Sequence, residues 1–259
     1  MVPQFSEVTE LAGECVSQEQ VDRLCARYGW ALDRCRGKDV LEVACGTAPG
    51  VGLLVQAARS LVAGDISEEI LTRARAHYGN RAEIRAMDAQ ALPFPDSSLD
   101  VVLIFEALYY VPDPRKFASE CARVLRAGGC VLVANANKDL ADFNPSPHSH
   151  AYHGVRELSE LFLEAGFTTR FWGNVPVTSL SIRQRILRPV KRAVVALNLM
   201  PKSMRGKRLL KRLVFGEMTA FPAEIKLDMI PDPLPINVVD PTRPDTLHKV
   251  ILCEARKSQ

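Results

Sequence analysis

The stretch VLEVACGTAPG, Val40 to Gly50, decides the fold. Val40, Leu41 and Val43 form a short apolar run, and Ala44, Gly46, Thr47, Ala48 and Gly50 then make a turn of small residues. Val51 to Leu54 resumes the apolar pattern as a helix. A buried strand, a small-residue turn and a helix let a ligand approach the backbone closely. They also place amide groups at a helix N-terminus, where an anionic group is welcome. Tight strand-to-helix turns without a ligand are common, so this turn by itself defines architecture and not chemistry.

Outward from that turn, apolar runs that suit buried strands recur at Asp39–Ala44, Leu61–Ala63, Glu83–Ala86, Leu99–Phe105, Cys130–Ala134, Thr168–Trp172 and Lys249–Ala255. Helical patterns separate most of them, at 16–35, 50–59, 67–78, 114–126 and 155–165. Ser67 suits a helix N-cap, and Gly128, Gly129 and Gly166 suit left-handed helix ends. Strand and helix in alternation predict an α/β fold, a doubly wound, mostly parallel seven-stranded sheet. The chain reads as one domain: an N-terminal helical cap (1–36), a ligand-binding core (37–175), a basic then Pro-rich insertion (176–244), and a final edge strand and tail (245–259).

The charge is split. Of 33 Lys and Arg against 30 Asp and Glu, eleven basic residues and no acids lie between Arg183 and Arg212, so the remainder carries about −8. Ile182, Ile186, Val190, Ala193, Val194 and Leu197 are expected on one helical face there, opposite the cations. No run of about 18 apolar residues exists to predict a membrane span. The N-terminus lacks the apolar segment of a secretory signal. Seven cysteines without a CxxC pair predict reduced thiols and a cytoplasmic setting.

Two acids extend the first turn into a site. Asp65 ends the second strand, where a carboxylate can accept from a ribose diol, and Asp88 follows the third, within reach of an adenine amine. Either is also a plain loop cap; both, with the glycine turn, favour a cleft at the carboxyl edge of the sheet.

With VLEVACGTAPG followed by GDIS, MDAQALPFPDSSLDVV, EALYYVPDP and ARVLRAGG, the chain resembles the class I S-adenosylmethionine-dependent methyltransferases, close to the small-molecule enzymes related to the ubiquinone/menaquinone type. The resemblance implies S-adenosylmethionine as cofactor, with S-adenosylhomocysteine as product. It implies that Glu42, Ala44, Gly46 and Thr47 surround the methionine part, that Asp65 holds the ribose and that Ile66 lies against the adenine. Asp88 and Ala89 would flank the adenine amine and ring, and Phe105 the sulfonium. Tyr28 and Trp30 of the N-terminal helix either close the cofactor pocket or staple that helix to the sheet. Ala44 and Ala48 depart from the family, which often has glycine there.

In-line methyl transfer requires alignment and exclusion of water, and no metal. No His/Cys/carboxylate cluster with metal-ligand spacing is found. On the acceptor side, Glu106, Tyr109 and Tyr110 follow the fourth strand, and His148, His150 and His153 lie in the loop after the fifth. Tyr109 and the three histidines are the candidates for catalysis; packing and helix capping are the plain alternatives. The sequence thus predicts an enzyme that methylates a small-molecule or carrier-linked acceptor at O or N, an anionic acceptor being one reading of the basic insertion. Other readings are a peripheral membrane contact through 182–215 with a lipid-linked acceptor, and a catalytically silent binding module of the same fold. Nucleic acid ranks below a small molecule, because aromatics in the basic segment are sparse. No signal for an oligomeric state is present.

Overall fold

Val40, Leu41, Val43 and all of Val101 to Phe105 are buried, as expected of strands that carry helices on both faces. The computed structural model describes residues 11–146, 148–177 and 218–258. In chain order these form β1 (Cys15–Ser17), α1 (Gln18–Cys35), β2 (Asp39–Val43), α2 (Val51–Ala57), β3 (Ser60–Asp65), α3 (Glu68–Tyr78), β4 (Glu83–Ala86) and β5 (Leu99–Phe105). Then follow α4 (Pro114–Val124), β6 (Leu125–Ala136), α5 (Val155–Glu164), β7 (Phe167–Pro176), β8 (Met218–Ala220), β9 (Ile236–Val239) and β10 (His248–Lys257). The basic segment, including the expected helical face from Ile182 to Leu197 and the membrane contact through 182–215, lies outside the described residues.

The main sheet has the order β4-β3-β2-β5-β6-β10-β7-β9. It is parallel from β4 to β6, while β10 runs antiparallel to both β6 and β7. Successive strand residues serve opposite faces, so Val101, Leu103, Leu132 and Leu252 pack under α1, while Val102, Ile104, Val133 and Ile251 pack with α4 and α5. Leu24, Tyr28 and Trp30 of α1 are almost wholly buried, and each large side chain so removed from water contributes roughly 1.5–3 kcal/mol.

The doubly wound α/β sheet is as expected, with three differences of detail. Among the described residues the sheet has eight strands, because Ile236 to Val239 is a proline-free window in the Pro-rich stretch and pairs with β7 as β9. The final strand is no edge: β10 is inserted between β6 and β7, and its Val250 to Cys253 are buried. Gly128 takes a left-handed φ of 73° inside the β6 segment, four residues past the end of α4, and not at the helix cap. Gly166 does follow the end of α5 with φ 85°.

A small second sheet matters for the site. β1 pairs with β8, and Gly13 and Phe221 exchange further backbone bonds with the two segments at 2.8 and 2.9 Å. Ile225 N–H donates to the Pro49 carbonyl at 2.8 Å, which ties the chain after β8 to the glycine turn. Gly52 leaves room for this crossing: a Cβ there would lie 1.7 Å from Oε1 of Glu224. Glu224 is held in turn by His77 and Arg81, each at 2.9 Å.

Candidate active site

The carboxyl ends of β2, β3, β4 and β5 open on a cleft of about 470 Å³, roofed by α1 and by Phe221. All ten residues expected around the cofactor line it: Tyr28, Glu42, Ala44, Gly46, Thr47, Asp65, Ile66, Asp88, Ala89 and Phe105. The turn that carries Ala44 to Thr47 has an unusual backbone. Ala44, Gly46 and Ala48 all have left-handed φ values, 51°, 58° and 61°. The two alanines therefore hold the conformation that glycine accepts freely, at about 1–2 kcal/mol each. Tyr78 braces the turn, its hydroxyl donating to the Ala48 carbonyl at 2.7 Å and accepting from Gly52 N–H at 3.2 Å.

Asp65 is buried and its two oxygens accept from Gly46 N–H at 3.0 Å and Ser67 N–H at 2.9 Å. It thereby locks the glycine turn to β3. Ser67 occupies the N-cap of α3, as expected, but its side chain makes no cap bond; its own N–H is the one held by Asp65. Burial pushes the Asp65 carboxyl up, against the pull of these N–H donors. Beside it Ile66 is 50% exposed, an apolar surface facing the cleft. Asp88 accepts from the backbone N–H of Gln90 at 2.8 Å.

At the other end Glu42 is buried, with one oxygen bonded to the Tyr28 hydroxyl and the other without a partner. Burial pushes its carboxyl up to about 7, partly opposed by the Tyr28 hydroxyl and the Arg27 charge. Gly50 permits this arrangement, since a Cβ there would lie 2.0 Å from the Tyr28 ring. Tyr28 also meets Phe105 edge-on, with centroids 5.2 Å apart. Arg27, one residue before Tyr28, lines the same wall with a buried Nε that has no partner. Two orphaned polar atoms of opposite charge thus stand near each other, which suits the ammonium and carboxylate of an amino acid. With the Asp65 carboxylate and the apolar Ile66 lining the same cleft, the residues present fit S-adenosylmethionine.

The acceptor side separates the histidines. His150 lines the cleft and its N–H donates to the Tyr109 carbonyl at 2.8 Å, while Tyr109 lines it directly. His148 does not line it: it sits exposed in a turn with φ 65°. His153 does not either. It precedes the N-terminus of α5, where burial lowers its imidazole pKa and leaves Nδ1 without a partner. Residues the sequence reading passed over also line the cleft, among them Gln20, Arg23, Arg27, Gln90 and Phe221. Gln20, Arg23 and Arg27 recur at three and four, a polar stripe beside the apolar one, and so had a visible signal. Phe221 had none, since its place depends on the pairing of β8 with β1.

Residues 41–133 match the family model for a methyltransferase domain. Over 146 residues, 54% of this chain, it is 39% identical to a Mycolicibacterium smegmatis protein described as "Probable S-adenosylmethionine-dependent methyltransferase", covering 56% of that protein. Over 152 residues, 55% of the chain, it is 35% identical to the ubiquinone/menaquinone biosynthesis C-methyltransferase UbiE of Stenotrophomonas maltophilia, covering 60% of it. The chain spans little more than half the length of these curated relatives. The crystal structure of the YcgJ protein from Bacillus subtilis shares the fold, with a TM-score of 0.58 and 18% identity over 90% of this chain and 98% of that one. The match over 41–133 and these relatives are to the class I S-adenosylmethionine-dependent methyltransferases, the class that the motif series implies, and the YcgJ structure shares the fold. The cofactor of that class is S-adenosylmethionine.

Proposed function

We propose that this protein transfers a methyl group from S-adenosylmethionine, by in-line displacement, to a small-molecule or carrier-linked acceptor, with O or N as the methylated atom. The single observation that carries the reading is the cleft, where the residues of all the cofactor motifs converge beside the orphaned Glu42 and Arg27 atoms. The cofactor, when bound, supplies a methyl group already activated on sulfur. The chain's own residues then bind and align. Glu42 and Arg27 hold the amino-acid end, and Ala44, Gly46 and Thr47 lie along it. Asp65 accepts from the ribose, Ile66 and Ala89 cover the adenine, and Asp88 accepts from its amine. Phe105 lies against the sulfonium region, and Tyr109 and His150 meet the acceptor. Phe221 and α1 exclude water from the reacting pair.

The anionic-acceptor and membrane-peripheral readings rest on the eleven cations between Arg183 and Arg212. A cytoplasmic setting is supported by seven free cysteines, six of them buried. Among the described residues no helix is long and apolar enough to cross a membrane, and no His/Cys/Asp/Glu group could hold a metal ion. A catalytically silent module is favoured only by Ala44 and Ala48, and both keep the left-handed backbone that glycine would adopt. Titration calorimetry with S-adenosylmethionine and S-adenosylhomocysteine tests the whole reading: micromolar binding is expected, and folded protein that binds neither refutes it.

A further inference from the structure

We propose that the acceptor end of the cleft is built for a nitrogen nucleophile, with Glu106 as the group that touches the reacting atom; this rests on the methyl-transfer reading above. Glu106 is the first residue after β5, next to Phe105. Its φ of 51° is left-handed, a conformation that costs a non-glycine residue about 1–2 kcal/mol. The bond from its N–H to the Ala134 carbonyl, 2.7 Å long, fixes that backbone. The half-buried carboxylate lines the cleft and accepts the Tyr109 hydroxyl at 3.2 Å. Among the described residues no Lys or Arg pairs with it, whereas Glu120, Glu157 and Glu254 are each ion-paired.

The surroundings are aromatic. Tyr109 and Tyr110 meet at 61° with centroids 4.6 Å apart, and both line the cleft. Tyr109 is seated by Tyr152, stacked at 4.1 Å, and the Tyr110 hydroxyl is 2.5 Å from Oγ of Ser146. A carboxylate that no cation among the described residues pairs with, flanked by tyrosine rings, favours positive charge. Burial pushes the Tyr109 phenol up, so that hydroxyl donates and is no base.

This environment matches one course of the reaction. The lone pair of a neutral amine forms the N–C bond as the C–S bond breaks, and that bond's electron pair stays on sulfur. The positive charge therefore passes from sulfur to nitrogen, and the methylated ammonium later releases a proton to solvent. Glu106 accepts a hydrogen bond from the amine N–H, a bond that strengthens as charge arrives, so it stabilises the transition state more than the ground state. An anionic remainder of the acceptor is compatible with this, because only the reacting atom meets Glu106.

The test uses the full-length protein saturated with S-adenosylhomocysteine and a matched pair of probes, choline and its uncharged carbon isostere 3,3-dimethylbutan-1-ol. Choline presents a methylated nitrogen cation, and the isostere has the same shape. Calorimetry or ligand-detected NMR should show choline about tenfold tighter. Glu106→Gln should bring the two near parity while the S-adenosylhomocysteine affinity stays within about twofold. Equal binding of the pair, no choline binding, or a preference that survives Glu106→Gln overturns the nitrogen assignment. Failure of S-adenosylhomocysteine itself to bind overturns instead the methyl-transfer reading on which it rests.

Discussion

The two ends of the cleft were built by different kinds of information. At the cofactor end, the site residues other than Arg27 and Tyr28 of α1 come from the ends of consecutive strands and the turns after them, so parallel pairing of β2, β3, β4 and β5 brings them together. At the acceptor end, Tyr109 comes from the segment after β5, His150 from the loop after β6, and Phe221 directly follows β8, the strand that pairs with β1. Chain order alone locates the first end. The second depends on loop conformation and on pairings distant in sequence.

That contrast can be broken from either side. The largest effect is expected at the cofactor end, where Asp65→Ala should weaken S-adenosylhomocysteine binding about 100-fold, since hydrogen bonds to a charged group are lost. Circular dichroism checks that the glycine turn survives, and calorimetry that shows unchanged affinity removes Asp65 from the ribose.

The pH response of Glu42 comes next. Its carboxyl holds a proton to about 7 in the fold, against an ordinary value of 4.5, so it is bound more tightly folded than unfolded. The ligand-free protein is therefore favoured below about pH 4.5 and loses about 3 kcal/mol as the pH rises past 7. Ligand affinity should run the other way, rising about tenfold between pH 6 and 8 as the carboxylate forms beside an ammonium. Glu42→Gln should flatten both curves; a slope that persists in the variant assigns the titration to another group.

At the acceptor end, His150→Ala should lower kcat/KM about tenfold, while His148→Ala should leave it within about twofold. The reverse order would mean that the loop is arranged differently during turnover. The smallest effect is expected from Ala44→Gly and Ala48→Gly, each of which relieves a left-handed alanine. Each should raise Tm by about 1–3 °C, as scanning calorimetry will show, because strain relief is partly offset by the freedom glycine has when unfolded.

Most of the sheet was legible because period, length and breakers agree within each element. The alternation of Val101 to Phe105 with the Pro114 helix needs no distant information. The insertion of β10 was less visible, although Val250 to Cys253 is apolar on successive residues, the pattern of a strand covered on both faces. β9 was hidden by its proline neighbours. In the site, strand-end acids were readable because a strand end has one place to go. The histidines were not: three imidazoles within six residues point different ways once one backbone turns left-handed at His148 and another residue is drawn toward α5.

The central position of β10 has a consequence for how this molecule is made. Among the described residues β7 pairs with β9 and with β10 and not with β6. β10 also follows every other strand of the sheet in chain order, so until it emerges from the ribosome the β7–β9 ribbon has no route onto the sheet. The nascent chain then holds a finished parallel half and an unattached ribbon, and the edge of β6 waits for β10. Deletion of these ten residues should be far more damaging than their number suggests.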